Sequence, residues 1–310
     1  MLRRVKAALA ILICSLAISS AAAQELEIDP DGIIQSVQEW IEDNLDPGAL
    51  DRLGVDKDRV QRFLAEVRRR FQGTYVYDLG ALKETAVQIL PVLDQFEETR
   101  PYAVWLRSHL DYFEVAQELR REVKPTPGKP PRLPDATPVL QRSVWVKELK
   151  DRSLPPLAEK YAAPLKEVFI TEKLPPELVW VAEVESSFDP TARSPAGAAG
   201  LFQLMPVTAK SLNLSTSLPD ERLHPEKSAR ATARYLRRLH ARFGDWRLAL
   251  AAYNAGESRV ESLLKKSRER SYDAIAGRLP SETQMFVPKV EATLRRREGV
   301  TLDQLKVSAE

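Results

Sequence analysis

Residues 175–187 read Pro-Pro-Glu-Leu-Val-Trp-Val-Ala-Glu-Val-Glu-Ser-Ser. Two prolines open the stretch, where a helix start tolerates them because the first-turn amides have no intrahelical acceptor. From Leu178 to Glu185 six of eight residues are apolar, and at helical spacing they fall on every side. A helix apolar all round is expected to be buried. Yet this one carries Glu183 and Glu185. On a helical projection Glu185 returns to the side of Leu178, Val181 and Ala182, whereas Glu183 lies elsewhere. A carboxyl group in apolar surroundings holds its proton to higher pH, which is the state a general acid needs. The residues alone leave a second reading open: a buried Glu paired with an arginine such as Arg193.

Downstream, residues 193–206 read Arg-Ser-Pro-Ala-Gly-Ala-Ala-Gly-Leu-Phe-Gln-Leu-Met-Pro. Ala196 to Gly200 carry no side chain larger than methyl, so backbone there can approach a ligand closely, or simply make a tight turn. Gln203 sits among Leu201, Phe202, Leu204 and Met205, and a buried amide must find partners. A sugar acetamido group would serve, and so would backbone. Further on, Asp245 is a predicted N-cap and Gly256 a predicted stop for a helix over 246–255. That places Tyr253 and Asn254 in its last turn. Ser281-Glu282-Thr283-Gln284 has the form of a capping box and puts Glu282 in a first helical turn.

Taken together, Glu185-Ser186, Gly200-Leu201-Phe202-Gln203, Ala252-Tyr253-Asn254 and Ser281-Glu282-Thr283-Gln284-Met285-Phe286-Val287-Pro288-Lys289 resemble the lytic transglycosylases with a goose-lysozyme-like catalytic domain, the membrane-bound D-type above all. The likeness covers about residues 150–297. It implies a mainly α fold, with a lysozyme-like helical catalytic domain preceded by an all-helical N-terminal domain. It also implies cleavage of the β-1,4 bond between N-acetylmuramic acid and N-acetylglucosamine in peptidoglycan, with neither cofactor nor metal. By the resemblance, Glu185 is the sole catalytic acid and base, and the products end in 1,6-anhydromuramic acid. Ser186, Gln203, Met205, Tyr253, Asn254 and Glu282 are then the substrate-binding set. Ser186 would support the Glu or a sugar. Gln203 and Asn254 would meet N-acetyl groups. Tyr253 would orient Glu185, Glu282 would bond a sugar at the cleavage point, and Met205 would line the cleft. Phe286 stands where the family usually has Tyr, which removes one hydroxyl. Two alternatives remain. A hydrolytic muramidase on the same fold would need a second acid, and Asp189 is the near candidate although its place before Pro190 reads as a turn. A peptidoglycan-binding assembly scaffold would need no chemistry.

The rest of the chain frames this unit. Leu2-Arg-Arg-Val-Lys6, an apolar run over 7–18 and Ala21-Ala-Ala23 predict a signal peptide cut after Ala23, and hence a periplasmic protein with no membrane span after cleavage. The one cysteine, Cys14, follows Ile13 and does not fit a lipid-attachment site. Helical spacing recurs through Ile33–Ile41, Val60–Phe71, Leu82–Leu93 and Trp105–Leu119, giving an all-helical domain over 24–124. His109 within it is expected to be packing or surface. Prolines at 125, 127, 130, 131, 134 and 138 predict a stiff linker over 125–142, followed by the catalytic domain over 143–310. The N-terminal helices could restrict the cleft, bind a protein partner or set the distance to the wall. Lys+Arg of 46 against Asp+Glu of 44 argue against a nucleic-acid partner held by bulk charge. The stripe Arg234, Arg238, Arg242 reads as a solvated helix face, with acidic stem peptides as its alternative.

Overall fold

The computed structural model describes residues 57–95, 99–123 and 133–307. The predicted signal segment, the Ile33–Ile41 helix and the prolines at 125, 127, 130 and 131 lie outside the described residues. Regular structure among the described residues is helical, apart from isolated bridges joining Ala199 to Arg193 and to Leu204. The mainly α fold class therefore holds.

The N-terminal helices are α1 (Lys57–Gln72), a 3-10 segment (Val76–Leu82), α2 (Lys83–Gln95), α3 (Arg100–Ser108) and α4 (Leu110–Glu122). The single helix predicted through Trp105–Leu119 is broken at His109, whose backbone leaves helical geometry at φ −111, ψ 1. The cause is local. The Ser108 hydroxyl donates to the Trp105 carbonyl at 2.7 Å, and the His109 ring bonds the same carbonyl at 2.9 Å, drawing the turn shut. Gly80 lets the 3-10 segment lie against α4. A Cβ there would meet Gln117 Cγ at 2.9 Å, and Gln117 Nε2 donates to the Gly80 carbonyl at 2.9 Å.

The predicted linker is shorter than 125–142, because α5 begins at Pro138 and runs to Leu149. Thr137 caps it by accepting from Leu140 N at 3.3 Å, and a proline in the first helical turn forfeits no hydrogen bond. There follow α6 (Ala158–Thr171), a 3-10 turn (Pro176–Trp180), α7 (Val181–Ser186), α8 (Pro206–Ser211), α9 (Pro225–Phe243), α10 (Trp246–Ala255), α11 (Glu257–Lys265), α12 (Tyr272–Ile275) and α13 (Ser281–Glu298). The apolar stretch read as one helix is thus a 3-10 turn followed by a short α-helix. Ser187 and Phe188, at φ 53 and 63, end it in the left-handed region.

Two apolar cores form. One gathers Phe63, Phe71, Trp105, Tyr112, Phe113 and Trp145 from the N-terminal helices and α5. The other gathers Phe169, Leu178, Val184, Phe202, Leu236 and Trp246 from α6 onward. Helix α13 serves both: Met285 and Ala292 enter the first, and Phe286, Val287, Val290 and Leu294 the second. A buried polar seam runs beside it. Lys289, 2% exposed, donates to the Ser108 carbonyl at 2.8 Å and to Asp111 at 2.9 Å, and Arg152 also reaches Asp111 at 2.5 Å. Such a buried charge persists only where its partners replace water.

His109 packs at this seam, its ring stacked on Trp105 with centroids 4.5 Å apart. Burial, then the charge of Lys289, push its pKa down from 6.5 to about 4. The folded ring therefore stays neutral where the unfolded one takes a proton, so its contribution to stability is present above pH 6.5 and lost as pH falls toward 4. Thermal melts between pH 7 and 4 are expected to fall more steeply for the wild type than for His109→Gln; equal slopes would contradict this.

Candidate active site

The two glutamates of α7 meet opposite fates. Glu183 is ion-paired at both oxygens to Arg297 of α13, at 2.9 and 2.8 Å. Glu185, 7% exposed, makes no ion pair among the described residues. Burial pushes its pKa well above the carboxylate range, and the charge of Glu282 adds to this, while Lys289 opposes. The arginine reading thus belongs to Glu183, with Arg297 as partner. Arg193, offered as a partner for the buried Glu, lies instead 3.6 Å from Asp220.

The backbone of α7 is held from outside its own half. The Ser108 hydroxyl reaches the Glu185 carbonyl at 3.4 Å. Ser186, expected at a sugar or beside the Glu, is fully buried. Its hydroxyl donates to the Leu201 carbonyl at 2.8 Å and ties α7 to the following loop, outside the residues lining the cleft.

That loop is rigid. The Ser194 hydroxyl accepts from the amides of Ala196 and Ala198 at 3.2 and 3.0 Å. The Arg222 guanidinium donates to the Gly197 and Leu204 carbonyls at 2.8 and 3.0 Å and pairs with Asp220 at 2.8 Å. The small residues were expected to admit a ligand. At Gly200 the close approach is instead by the chain itself: φ is +82, and a Cβ would lie 1.9 Å from the Arg222 carbonyl oxygen. Gly200→Ala is expected to destabilise by about 1–3 kcal/mol, through a strained φ and a backbone clash that cannot relax cheaply, and chemical denaturation would read it.

Gln203 turns at φ 45, a left-handed conformation unusual for a side-chain-bearing residue. Its Nε2 donates to the Ala192 and Gly200 carbonyls at 3.1 and 2.9 Å, while Oε1 is buried without a protein partner. An amide held at one end and unpaired at the other is ready for a donor from outside.

Gln203, Glu185, Met205, Tyr253, Asn254 and Glu282 line one cleft. Of the sequence-predicted site residues, only Ser186 is not among them. Asp245 accepts from Leu248 N at 2.8 Å and caps α10 as expected, delivering Tyr253 and Asn254 at its last turn. The Tyr253 hydroxyl donates to the Phe202 carbonyl, and burial followed by the charge of Glu185 raises its pKa. Its ring is stacked on Phe286 with centroids 6.2 Å apart. Phe286 is 1% exposed and lies outside the cleft lining, so the absent hydroxyl falls within the core.

Asn254 Oδ1 accepts from Thr283 at 2.6 Å. Burial pushes the pKa of Glu282 up to about 7, and a hydrogen bond with Asn254 holds it back. Glu282 does sit in the first turn of α13, but no capping box forms. Ser281 is already the first helical residue, and its amide donates to the Gly73 carbonyl at 2.6 Å. Asp189 lies outside the cleft lining and accepts from the amide and hydroxyl of Thr191 at 2.8 and 2.6 Å, a turn residue as its place before proline suggested.

Sequence reading missed the N-terminal contribution. Gln72 of α1 and Trp105 of α3 both line the cleft. No motif carries them, because their approach is fixed by tertiary contacts. Lys289 was inside a quoted motif yet was given no role. The arginine stripe is paired: Arg234 with Glu172 at 2.8 Å, Arg238 with Glu257 at 3.1 Å and Arg242 with Glu261 at 2.7 Å.

Comparison with known proteins finds one domain family over the second half of the chain. The model of the transglycosylase SLT domain matches residues 170–276. Membrane-bound lytic murein transglycosylase D of Escherichia coli (strain K12) is 43% identical over 123 residues, 38% of this chain and 27% of that protein. Soluble lytic murein transglycosylase of Salmonella typhimurium (strain LT2) is 40% identical over 121 residues, 36% of this chain and 19% of the other. A protein of Alteromonas sp. (strain M-1) named for tributyltin chloride resistance is 31% identical over 150 residues, 48% of this chain and 69% of its own length. The chain thus spans less than a third of the two murein enzymes. Over residues 170–276 it carries a transglycosylase SLT domain. Within the matched segment it is similar to the D-type enzyme.

Proposed function

We propose that the chain is an exported peptidoglycan lytic transglycosylase in which Glu185 acts alone as acid and base. The observation that carries this is a buried carboxyl group that makes no ion pair among the described residues, whose pKa burial pushes up, and which lines a cleft with sugar-compatible polar groups. Protonated Glu185 gives its proton to the glycosidic oxygen as the C1–O bond breaks. The resulting carboxylate takes the proton of the C6 hydroxyl of the same N-acetylmuramic residue, whose oxygen closes on C1. The 1,6-anhydro ring forms, Glu185 is protonated again and no water is consumed. An internal nucleophile stands in for the second carboxylate that hydrolytic glycosidases use, since intramolecular attack has a very high effective concentration.

In this reading the unpaired Gln203 Oε1 accepts from an acetamido N–H. Asn254 and Glu282 hold a sugar near the scissile bond, and Met205 packs against it. Tyr253, anchored at Phe202, fixes the wall beside Glu185. A basic start, an apolar run and Ala21-Ala-Ala23 support export to the periplasm with cleavage after Ala23. No helix among the described residues is long and apolar enough to cross a membrane.

One observation favours a hydrolytic second reading. Glu282 lines the same cleft, and burial pushes its pKa up to about 7, which supports it as the base for an attacking water; Asp189 lies outside that lining. Mass analysis of fragments released from isolated peptidoglycan separates the two. Anhydromuramic ends are expected. Reducing ends, one water heavier, would establish hydrolysis instead, and protein bound to the wall with no soluble fragments would favour a scaffold.

A further inference from the structure

The cleft does not end at the catalytic half. Beside Glu282 it adjoins a small, partly open slot lined by Val67, Arg68, Phe71 and Gln72 of α1, Trp105 of α3 and Pro195. Gln72, Trp105 and Glu282 belong to both spaces. The slot is apolar on the side of Val67, Phe71, Trp105 and Pro195, and polar where the Gln72 amide, the Glu282 carboxyl and Arg68 stand. A pyranose ring has the matching character, with a face of C–H groups and a rim of hydroxyls, and the apolar face packs on aromatic and aliphatic surface.

The slot is also built in advance. The Gly73 carbonyl accepts from Ser281 N at 2.6 Å, and the Pro101 carbonyl accepts from Arg193 N at 3.1 Å. The Thr74 carbonyl accepts from Gln284 Nε2 at 2.8 Å. These bonds fix α1 to α13 and α3 to the loop on the two sides of the slot, so binding there orders little that is not already ordered.

We propose that the N-terminal helices complete the substrate site, and that the slot between α1 and Pro195 takes one further sugar residue of the glycan strand. The proposal rests on the glycan-cleaving reading above for the polymer, and on the lining shared with the cleft for the occupant. A sugar in line with the scissile bond enters the slot directly, whereas a stem peptide branches from the strand.

The test uses the full chain carrying Glu185→Gln, so that binding is read without cleavage. It is titrated calorimetrically with peptide-free glycan strands of graded length, and with the same strands bearing stem peptides. Two further variants are made in that background: Gln72→Ala, which removes an exposed amide, and Pro195→Trp, which fills the slot from the loop side. Affinity for peptide-free strands is expected to rise with length. Each variant should weaken the longest strands about tenfold, and more than the shortest, as expected for one lost polar or packing contact. Equal affinities with and without the substitutions would overturn the proposal. So would a loss confined to peptide-bearing strands, which would give the slot to the stem peptide. Wild-type digestion of peptidoglycan is read separately. Absence of fragments would defeat the catalytic reading, and length-dependent binding lost in both variants would still uphold the subsite.

Discussion

Glu185→Gln is expected to lower fragment release from peptidoglycan by about 10³-fold or more while the protein melts no lower than the wild type. General acid–base transfer by a positioned carboxyl contributes roughly 10²–10⁴-fold, and here one group would serve both half-reactions, so nothing remains to replace it. The stability half follows from the same burial. The folded carboxyl group holds its proton well above the unfolded pKa of about 4.5. Its contribution to stability is therefore complete below that value and lost as pH rises through the folded pKa. Glutamine keeps the shape, cannot ionise and escapes the penalty. The variant's melting temperature should equal that of the wild type near pH 4 and exceed it at pH 8. Activity surviving in a folded variant would refute the role of Glu185. A lower melting temperature at pH 8 would mean that Glu185 is ionised and paired.

Two residues earlier the expectation reverses. Arg297→Met should destabilise by about 3–5 kcal/mol, the range found when one partner of a buried pair is removed and the other charge is stranded. Glu183 and Arg297 are 6% and 8% exposed at their side chains and make two hydrogen bonds. Arg297 further donates to the Arg152 and Ser153 carbonyls at 3.2 and 2.7 Å, so those acceptors are orphaned too. Glu183→Gln combined with Arg297→Met removes the stranded charge and should recover part of the loss. Urea denaturation of the single and double variants measures both. A single variant within about 0.5 kcal/mol of the wild type would show the pair to be solvated, in the range of surface ion pairs.

The contrast between these glutamates marks where sequence reading is strong. Hydrophobic periodicity placed Glu185 on an apolar side because that pattern is local, and Glu185 is buried even though the stretch divides into a 3-10 turn and a short α-helix. Asp245 and Gly256 were likewise legible as cap and stop, since capping depends on a few adjacent residues. The partner of Glu183 was not legible. Arg297 lies more than a hundred positions away, and Arg193, nearer in sequence, lies beside Asp220. The same limit explains the small-residue loop. Composition showed that something approaches Gly200 but not that the visitor is the carbonyl of Arg222. It explains His109 as well, where a break without glycine or proline arises from a serine and a histidine ring competing for one carbonyl. The boundary at 142 failed by a cap: Thr137 makes Pro138 a helix start, which a proline count reads as continued linker.

Helix α13 gives one face to each core, and its lysine sits among groups supplied by the other half. Its consequence concerns how such a chain can be rearranged in the course of descent. A segment that began at residue 143 and travelled alone to a new host protein would carry Met285 and Ala292 bare, and Lys289 without Asp111. By packing alone, such a segment is expected to need another apolar seat and another buried acid from its new surroundings.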